Sequence, residues 1–225
     1  MNNIVSLSGG KDSTAMLLMM LKKKIKVDHI VFFDTGWDFP EMIEHIDKLG
    51  KYIGKEIIRL LPRIPFNKVF IKRGFPSPLV RWCTAEKVYA INKFCSQYKP
   101  YMQFIGYSFD ERRRIKKTMD YCYPLVDWKI TENDALNYCY EKGFDWGGLY
   151  NKYKRLSCWN CPLQTLNDLK ALWKYFPEYW VELLEMQKQS KWRFKINYTL
   201  SELDDRFRRE ENYYQLDLKE TIQNE

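Results

Sequence analysis

A short run of small, charged and hydroxyl residues near the start of the chain has the composition of an anion-binding loop. Ser8-Gly9-Gly10-Lys11-Asp12-Ser13 lies between an apolar run, Ile4 to Leu7, and a stretch with helical periodicity. Glycines allow a tight turn that directs several backbone N–H groups at one anion, a helix N-terminus adds its positive end, and Lys11 adds a full charge. The spacing differs from the Gly-x-x-x-x-Gly-Lys-Ser/Thr pattern of a Walker A loop. The segment therefore predicts a phosphate-binding loop of another type.

The cysteines are a second group of residues that could bind a metal or take part in catalysis. Cys158 and Cys161, followed by Pro162, have the C-x-x-C spacing with which two thiolates bind one metal ion or cluster. A zinc site needs two further ligands, and a thioredoxin-like pair remains an alternative although the surrounding strand and helix pattern is atypical of one. Cys95 and Cys139 lie on apolar helical faces, so we predict that both are core residues.

Charge and hydropathy limit the possible partners and locations. The chain of 225 residues has 37 Lys and Arg against 29 Asp and Glu, which gives a formal net charge of +8. This surplus favours anionic partners such as nucleotides or nucleic acid. No apolar run approaches the roughly 20 residues that span a membrane, and no secretory signal pattern is recognised. We therefore expect a cytoplasmic protein with reduced cysteines and no membrane partner.

The elements that position these residues alternate between strand and helix. Strands are predicted at residues 4–7, 29–33, 56–61, 103–107 and 123–126, and helices at residues 13–24, 40–53, 84–97 and 131–142. This alternation favours a parallel, doubly wound α/β sheet. In such a sheet the ligand lies beyond the carboxyl ends of the strands, where the strand order reverses.

The pattern changes after Gly143, a predicted helix C-cap. Residues 145–160 are rich in glycine, aromatic and basic residues, and residues 162–224 have mainly helical periodicity, with Thr199-x-x-Glu202 as a capping box. We predict an α/β domain at residues 1–143. Residues 144–225 are predicted to form a Cys-x-x-Cys loop and a helical extension packed on that domain.

Several further segments follow the loop in an order typical of one family. They are Phe33-Asp34-Thr35-Gly36 with Phe39-Pro40-Glu41, Arg81-Trp82-Cys83-Thr84 with Lys87, Gly106 with Asp110-Glu111-Arg112-Arg113, Tyr123-Pro124-Leu125 with Asp127-Trp128, and Cys158-x-x-Cys161-Pro162. Over residues 4–163 the chain resembles the PP-loop (N-type ATP pyrophosphatase) superfamily and, within it, the phosphoadenosine phosphosulfate (PAPS) reductase-like family. The resemblance implies a Rossmann-like (HUP-type), mostly parallel five-stranded sheet with a C-terminal helical extension.

The resemblance also implies a nucleotide site. It implies that the loop binds the pyrophosphate of ATP or a related adenine nucleotide. In the reaction scheme that we expect on this basis, Lys11, Asp12 and Ser13 are catalytic, and Asp12 helps to orient Mg²⁺ or the substrate. The implied nucleotide-binding residues are Ser8, Gly9, Gly10, Lys11, Asp12, Ser13, Asp34, Thr35, Gly36, Arg81, Lys87, Gly106, Arg112 and Arg113. Of the two arginines, one is expected to face the phosphate or sulfate end of the ligand.

The resemblance also implies that further cysteines join Cys158 and Cys161 as ligands of one metal centre. It places Cys83 near the same end of the sheet as Cys158 and Cys161, and Cys122, just before the predicted fifth strand, is the candidate fourth ligand. A [4Fe-4S] cluster is the implied group, with zinc as the alternative. The chain has no cysteine after Cys161, where sulfonucleotide reductases resemble one another in a catalytic cysteine, so reduction is not the first expectation.

We therefore expect an AMP-forming ATP pyrophosphatase. The adenylated acceptor would then receive sulfur through the iron–sulfur site, with nucleic acid or a small molecule as acceptor and a sulfur-donor protein as a further partner. One alternative is a phosphoadenosine or adenosine phosphosulfate reductase, or an enzyme of sulfate activation resembling ATP sulfurylase. Another is a nucleotide-binding module without turnover.

Overall fold

The structure is a computed structural model that describes residues 1–116 and 118–223, with side chains described as far as Asn212. Lys117, Asn224 and Glu225 lie outside the described residues. The chain divides into two compact units. The sheet unit comprises Met1–Phe66 and Trp82–Cys158, and the helical unit comprises Asn67–Arg81 and Trp159–Glu225. The functional division after residue 143 stays a prediction.

A five-stranded parallel sheet forms the centre of the sheet unit. Its strands are β1 (Asn2–Leu7), β2 (His29–Phe33), β3 (Ile58–Leu60), β4 (Tyr101–Ile105) and β5 (Tyr121–Cys122), in the order β3-β2-β1-β4-β5. Every neighbouring pair is parallel, with Ile4 beside both His29 of β2 and Gln103 of β4. The strand order reverses at β1, so the predicted doubly wound α/β fold is confirmed, and the carboxyl end of β1 lies at the switch point.

Nine α-helices connect and follow these strands in the described part of the chain. They are α1 (Lys11–Lys22), α2 (Pro40–Ile53), α3 (Phe66–Arg73), α4 (Trp82–Ser96), α5 (Pro124–Asp127), α6 (Glu132–Glu141), α7 (Leu166–Tyr175), α8 (Pro177–Gln189) and α9 (Leu200–Gln223), with 3-10 turns at Phe109–Arg114 and Trp146–Asn151. None of the helices described is long and apolar enough to cross a bilayer.

Burial explains why the sheet forms from these segments. Val5 of β1 and Val31 of β2 are fully buried, as is Leu17 of α1, because a parallel sheet is covered by helices and its strands are near-continuous apolar runs. Cys95 and Cys139 are also fully buried, which confirms their predicted place in the core. Burial raises the pKa of Cys95 to about 11 and that of Cys139 to about 12, so both remain neutral thiols.

The predicted fifth strand at residues 123–126 is wrong. The strand is Tyr121–Cys122, and Pro124–Asp127 forms a short helix with Pro124 in its first turn. Proline has no N–H to donate to a sheet ladder but fits the first turn of a helix, where that N–H has no partner. The same sequence reasoning gave no indication of α3 or of the two 3-10 turns.

Capping residues set the starts of several helices. Thr131 begins α6 with a reciprocal capping box: its hydroxyl accepts from the Asp134 N–H, and Asp134 accepts from the Thr131 N–H. In the helical unit Thr199 and Glu202 form the predicted box, with 3.1 Å between the Glu202 N–H nitrogen and the Thr199 hydroxyl. Both predicted N-caps are therefore confirmed.

Candidate functional site

The Ser8–Ser13 loop connects β1 to α1, includes the first three residues of that helix, and is held by its own hydroxyl groups. The Ser8 N–H donates to Ser13 Oγ at 3.1 Å, the two serine Oγ atoms lie 3.0 Å apart, and Ser13 Oγ donates to the Gly10 carbonyl at 3.1 Å. Gly9 has φ +82°, a left-handed conformation that favours glycine. Gly10 is the N-cap of α1 and has no side chain to cap the first turn. The loop therefore offers backbone N–H groups at a helix N-terminus beside the switch point.

Gly106 brings the end of β4 against the same loop. A Cβ atom at this position would lie 2.6 Å from Ser13 Cα and 2.8 Å from Ser13 N. Both contacts are to backbone, which cannot rotate away, so only glycine fits here. The structure thus places two of the predicted nucleotide-binding segments in direct contact.

Lys11 is buried and its ammonium group is paired with carboxylates. Its side chain is 6% exposed, with Nζ 2.8 Å from Glu132 Oε2 and 3.4 Å from Asp12 Oδ2. The Lys11 N–H donates to the hydroxyl of Tyr150 at 2.7 Å. Burial raises the pKa of Tyr150, so this phenol stays protonated. Glu132 and Tyr150 are thus part of the loop's surroundings, although no local sequence signal marks either residue.

Asp12 is the carboxylate of the loop with the most unusual environment. Its pKa is raised to about 6, chiefly by burial, with Glu132 and Glu111 adding to the rise and Lys11 opposing it. Its Oδ1 atom is buried and accepts no hydrogen bond from any residue that the structure describes. An unpartnered carboxylate oxygen is a suitable ligand for Mg²⁺, so Asp12 fits the predicted metal role.

The segment after β2 forms a second turn in the sheet unit. The Gly36 N–H donates to Asp34 Oδ1 at 2.8 Å, and Thr35 Oγ1 donates to Asp38 Oδ2 at 2.6 Å. Thr35 Oγ1 also lies 3.4 Å from Cys158 Sγ. The structure therefore brings the first cysteine of the C-x-x-C pair to the end of β2.

Asp38, which the sequence analysis did not single out, links this turn to α4. Burial raises its pKa, while hydrogen bonds from Thr35 and the positive charge of Lys87 oppose the rise. Lys87 was a predicted nucleotide-binding residue, and its charge acts on the same turn as Asp34, Thr35 and Gly36. These four predicted residues thus belong to one region of the sheet unit.

The predicted metal ligands are spread over several elements. Cys83 lies in the first turn of α4, with Sγ 4.0 Å from Thr84 Oγ1, and Cys122 lies in β5 beside Phe104. Cys158 is the last residue of the sheet unit, whereas Cys161 belongs to the helical unit. The predicted nucleotide-binding residue Arg81 also belongs to the helical unit. Within the described residues no three His, Cys, Asp or Glu side chains are grouped closely enough to hold a metal ion. The four-cysteine ligand set therefore stays a prediction.

Arg112 and Arg113 lie in the 3-10 turn that follows β4, and both are exposed. The Arg112 guanidinium donates to the Phe109 carbonyl at 3.2 Å and lies 4.7 Å from the centroid of the Phe109 ring. Asp110, in the same turn, accepts from the Glu132 N–H at 2.8 Å and so ties the turn to the start of α6. The role of either arginine toward a phosphate stays a prediction.

A buried histidine, His45, contacts α1 and a tryptophan that is hydrogen-bonded to the loop. His45 Nε2 lies 3.0 Å from Thr14 Oγ1 of α1, and its ring stacks on Trp146 at 4.4 Å between centroids. Trp146 Nε1 in turn donates to the Gly9 carbonyl at 2.7 Å. Burial lowers the pKa of His45 to about 3, and Lys48 adds to this effect. The residues Gly147 and Gly148, both at positive φ, form the turn that delivers Trp146 to the loop.

Comparison with known proteins identifies the family. The phosphoadenosine phosphosulfate reductase domain matches residues 2–164, which is more than half of the chain. Two proteins of Methanocaldococcus jannaschii are similar: MJ0066 is 29% identical over 79% of this chain and 39% of its own length, and MJ0973 is 26% identical over 80% and 47%. The chain thus spans less than half the length of either relative.

A solved structure shares the fold. The phosphoadenylyl-sulfate (PAPS) reductase from Candida auris, a phosphate complex, superposes with a TM-score of 0.54 at 16% identity, over 71% of this chain and 82% of that one. This likeness supports the Rossmann-like α/β fold of the sheet unit. The domain match over residues 2–164 shows that the chain belongs to the phosphoadenosine phosphosulfate reductase domain family.

Proposed function

We propose that the protein is a PP-loop enzyme that binds ATP, or a related adenine nucleotide, with its phosphates at the Ser8–Ser13 loop and cleaves the bond between the α and β phosphates. The observation that carries the proposal is the N-terminus of α1, where a glycine N-cap, the close approach of Gly106 and the unpartnered Asp12 Oδ1 lie together. Such a terminus favours an anion through its N–H groups and its dipole.

In the proposed reaction an acceptor oxygen attacks the α-phosphorus of the nucleotide. The α–β P–O bond breaks, and pyrophosphate leaves with the bonding electron pair. Backbone N–H groups of Gly9, Gly10 and the first turn of α1 after Lys11, whose own N–H donates to Tyr150, would stabilise the negative charge that develops on the leaving group. Lys11 adds a positive charge beside them, and a phosphate oxygen competes with Glu132 for its ammonium group.

Asp12 is the residue that would hold Mg²⁺. When bound, Mg²⁺ supplies neutralisation of phosphate charge, as in other phosphoryl-transfer sites. Burial and the neighbouring Glu132 keep the Asp12 pKa high, so a cation that replaces its proton also stabilises the ionised carboxylate.

The second part of the proposal is sulfur transfer to the adenylated acceptor from a sulfur-donor protein that supplies sulfur at the sulfide level. A C–S bond forms on the acceptor as its C–O bond to the adenylyl group breaks, and AMP leaves with the electron pair. The predicted cysteine ligands are tested separately by purifying the protein without oxygen and measuring iron, zinc and acid-labile sulfide per chain. Iron and sulfide at cluster stoichiometry would support the prediction. A colourless protein free of iron and zinc would refute it.

Nucleotide binding is tested by thermal unfolding with ATP, adenosine and pyrophosphate as separate ligands. A ligand that binds only the folded chain raises the unfolding temperature by mass action. The Gly106→Ala variant should lose the ATP-dependent rise, because its new methyl group meets the Ser13 backbone. Gly50→Ala is the matched control, since a Cβ there meets its nearest neighbour at an ordinary 3.5 Å. An equal rise in both variants would contradict the proposed site.

A further inference from the structure

The helical unit presents an exposed tryptophan on a turn that is held by hydrogen bonds. The Trp192 side chain is 68% exposed, although tryptophan usually buries a large apolar area. Ser190 Oγ accepts from the Trp192 N–H at 3.1 Å, and Gln187 Nε2 donates to the Trp192 carbonyl at 3.0 Å. Phe194, two residues on, is buried and packs edge-on against Phe75 at 4.9 Å between centroids. The turn is therefore anchored while its indole ring faces solvent.

Two segments of the helical unit that meet at this turn are strongly basic. Residues 67–81 and 190–198 together contain seven Lys and Arg and no Asp or Glu. They are adjacent at Gly74, where an added Cβ would lie 2.8 Å from Ser190 Oγ and 3.0 Å from Trp192 Cδ1. We define the basic tryptophan face as Trp192 with the exposed cations that flank it or precede Gly74, namely Lys72, Arg73, Lys191 and Arg193.

Other lysines of the same unit are neutralised by neighbouring carboxylates. Lys170 and Lys174 of α7 pair with glutamates of α9 at 2.7 and 2.8 Å, and Lys188 of α8 pairs with Glu185 at 2.5 Å. Near the face, Arg193 acts on Glu202, whose carboxylate is engaged by Thr199 at the start of α9. Lys72, Arg73 and Lys191, by contrast, form no ion pair with any residue that the structure describes, so their charges are available to an anionic partner.

We propose that the basic tryptophan face binds single-stranded nucleic acid. An exposed indole on an anchored backbone turn can stack on an unpaired base whatever its sequence, and the flanking cations can contact phosphates, which is the combination used by single-strand binding surfaces. A base inside a duplex does not offer its face to such a ring. Binding at this face is independent of the nucleotide site, whereas the role of the bound strand as acceptor rests on the proposed function.

The test is fluorescence anisotropy of the full chain with labelled oligonucleotides of about 12 nucleotides, a length within the usual single-strand site size. The probes are oligo(U) RNA, oligo(dT) DNA and a DNA duplex, each titrated over a range of salt concentrations. The variants are Trp192→Ala, Trp192→Phe and the double variant Lys191→Gln with Arg193→Gln. The charge-matched control is Lys51→Gln with Lys93→Gln, two exposed lysines of the sheet unit.

We expect Trp192→Ala to bind single strands at least about fivefold more weakly, and Trp192→Phe to recover most of that loss, because base stacking needs an aromatic ring. The double variant should flatten the slope of log affinity against log salt by about 1.4, since each lost phosphate contact removes about 0.7. The control pair should keep the wild-type slope of log affinity against log salt. The preferred single strand, RNA or DNA, identifies the sugar class.

Single-strand affinities that are equal in wild type and Trp192→Ala would overturn the proposal, as would tighter binding of the duplex. Folding of each variant is checked by circular dichroism and by its unfolding temperature without ligand, and Trp192→Ala should also retain the ATP-dependent rise. If ATP fails to stabilise even the wild type, the nucleotide proposal fails while the oligonucleotide result still decides this one.

Discussion

The pH dependence of stability should reveal the buried histidine behind the loop. His45 has an ordinary pKa of 6.5 and a folded-state pKa of about 3, because burial disfavours its charged form. A folded pKa below the unfolded value contributes stability that is fully present above pH 6.5 and is lost as the pH falls toward 3. Between pH 7 and pH 5, His45 becomes protonated in the unfolded chain but stays neutral in the folded chain. At about 1.4 kcal/mol per pKa unit, this lowers the free energy of unfolding by about 2 kcal/mol.

The perturbation that isolates this effect is His45→Gln. Asp12, whose pKa rises to about 6, acts in the opposite direction and stabilises the fold as the pH falls, so the wild-type curve alone is ambiguous. Urea unfolding of both proteins at pH 7 and pH 5, followed by circular dichroism, removes the shared Asp12 effect. The wild type should lose about 2 kcal/mol more than His45→Gln over this interval. Equal losses in the two proteins would refute the assigned burial of His45.

Three further substitutions test contacts that hold the site and its helices. Gly106→Ala should lower the free energy of unfolding by about 1–3 kcal/mol through overpacking against the Ser13 backbone, whereas Gly50→Ala should not; equal urea midpoints would contradict the close approach. Tyr150→Phe removes the hydroxyl that accepts from the Lys11 N–H and should cost about 1–3 kcal/mol in urea unfolding, and no change would argue against that hydrogen bond. Thr131→Ala removes the cap of α6 and should cost about 1 kcal/mol, which thermal or urea unfolding would detect, and a neutral result would dispute the capping box.

Local sequence signals are sufficient for some elements of the sheet unit. Strand β2 and helix α2 lie at the predicted residues, because an apolar run and a first-turn proline mark their limits without help from the rest of the fold. The Ser8–Ser13 loop was predicted for the same reason, since its glycines and the following helix are adjacent in the chain. Around Pro124 the local pattern is ambiguous between strand and helix. The sequence therefore predicts the fifth strand two residues later than it begins in the structure.

The rest of the site depends on contacts between residues far apart in the chain. Tyr150 reaches the loop across 139 positions and Trp146 across 137, and neither has a neighbouring motif that marks it as a loop partner. His45 is an unremarkable helix residue until the fold places Trp146 on its ring. The cysteine ligand set is difficult to predict for the same reason. The C-x-x-C spacing identifies two candidate thiol ligands but not the distant residues that would complete the set.

The most direct test of the central claim is the identity of the products formed from ATP. The protein is incubated with Mg²⁺ and ATP labelled on the α-phosphate, with and without single-stranded RNA or DNA. The labelled adenylates are separated, and the unlabelled pyrophosphate is measured in parallel. The proposal predicts AMP or an adenylated acceptor together with pyrophosphate, and loss of both products in Gly106→Ala but not in Gly50→Ala. Formation of ADP and phosphate, or no turnover with any acceptor despite ATP binding, would contradict it.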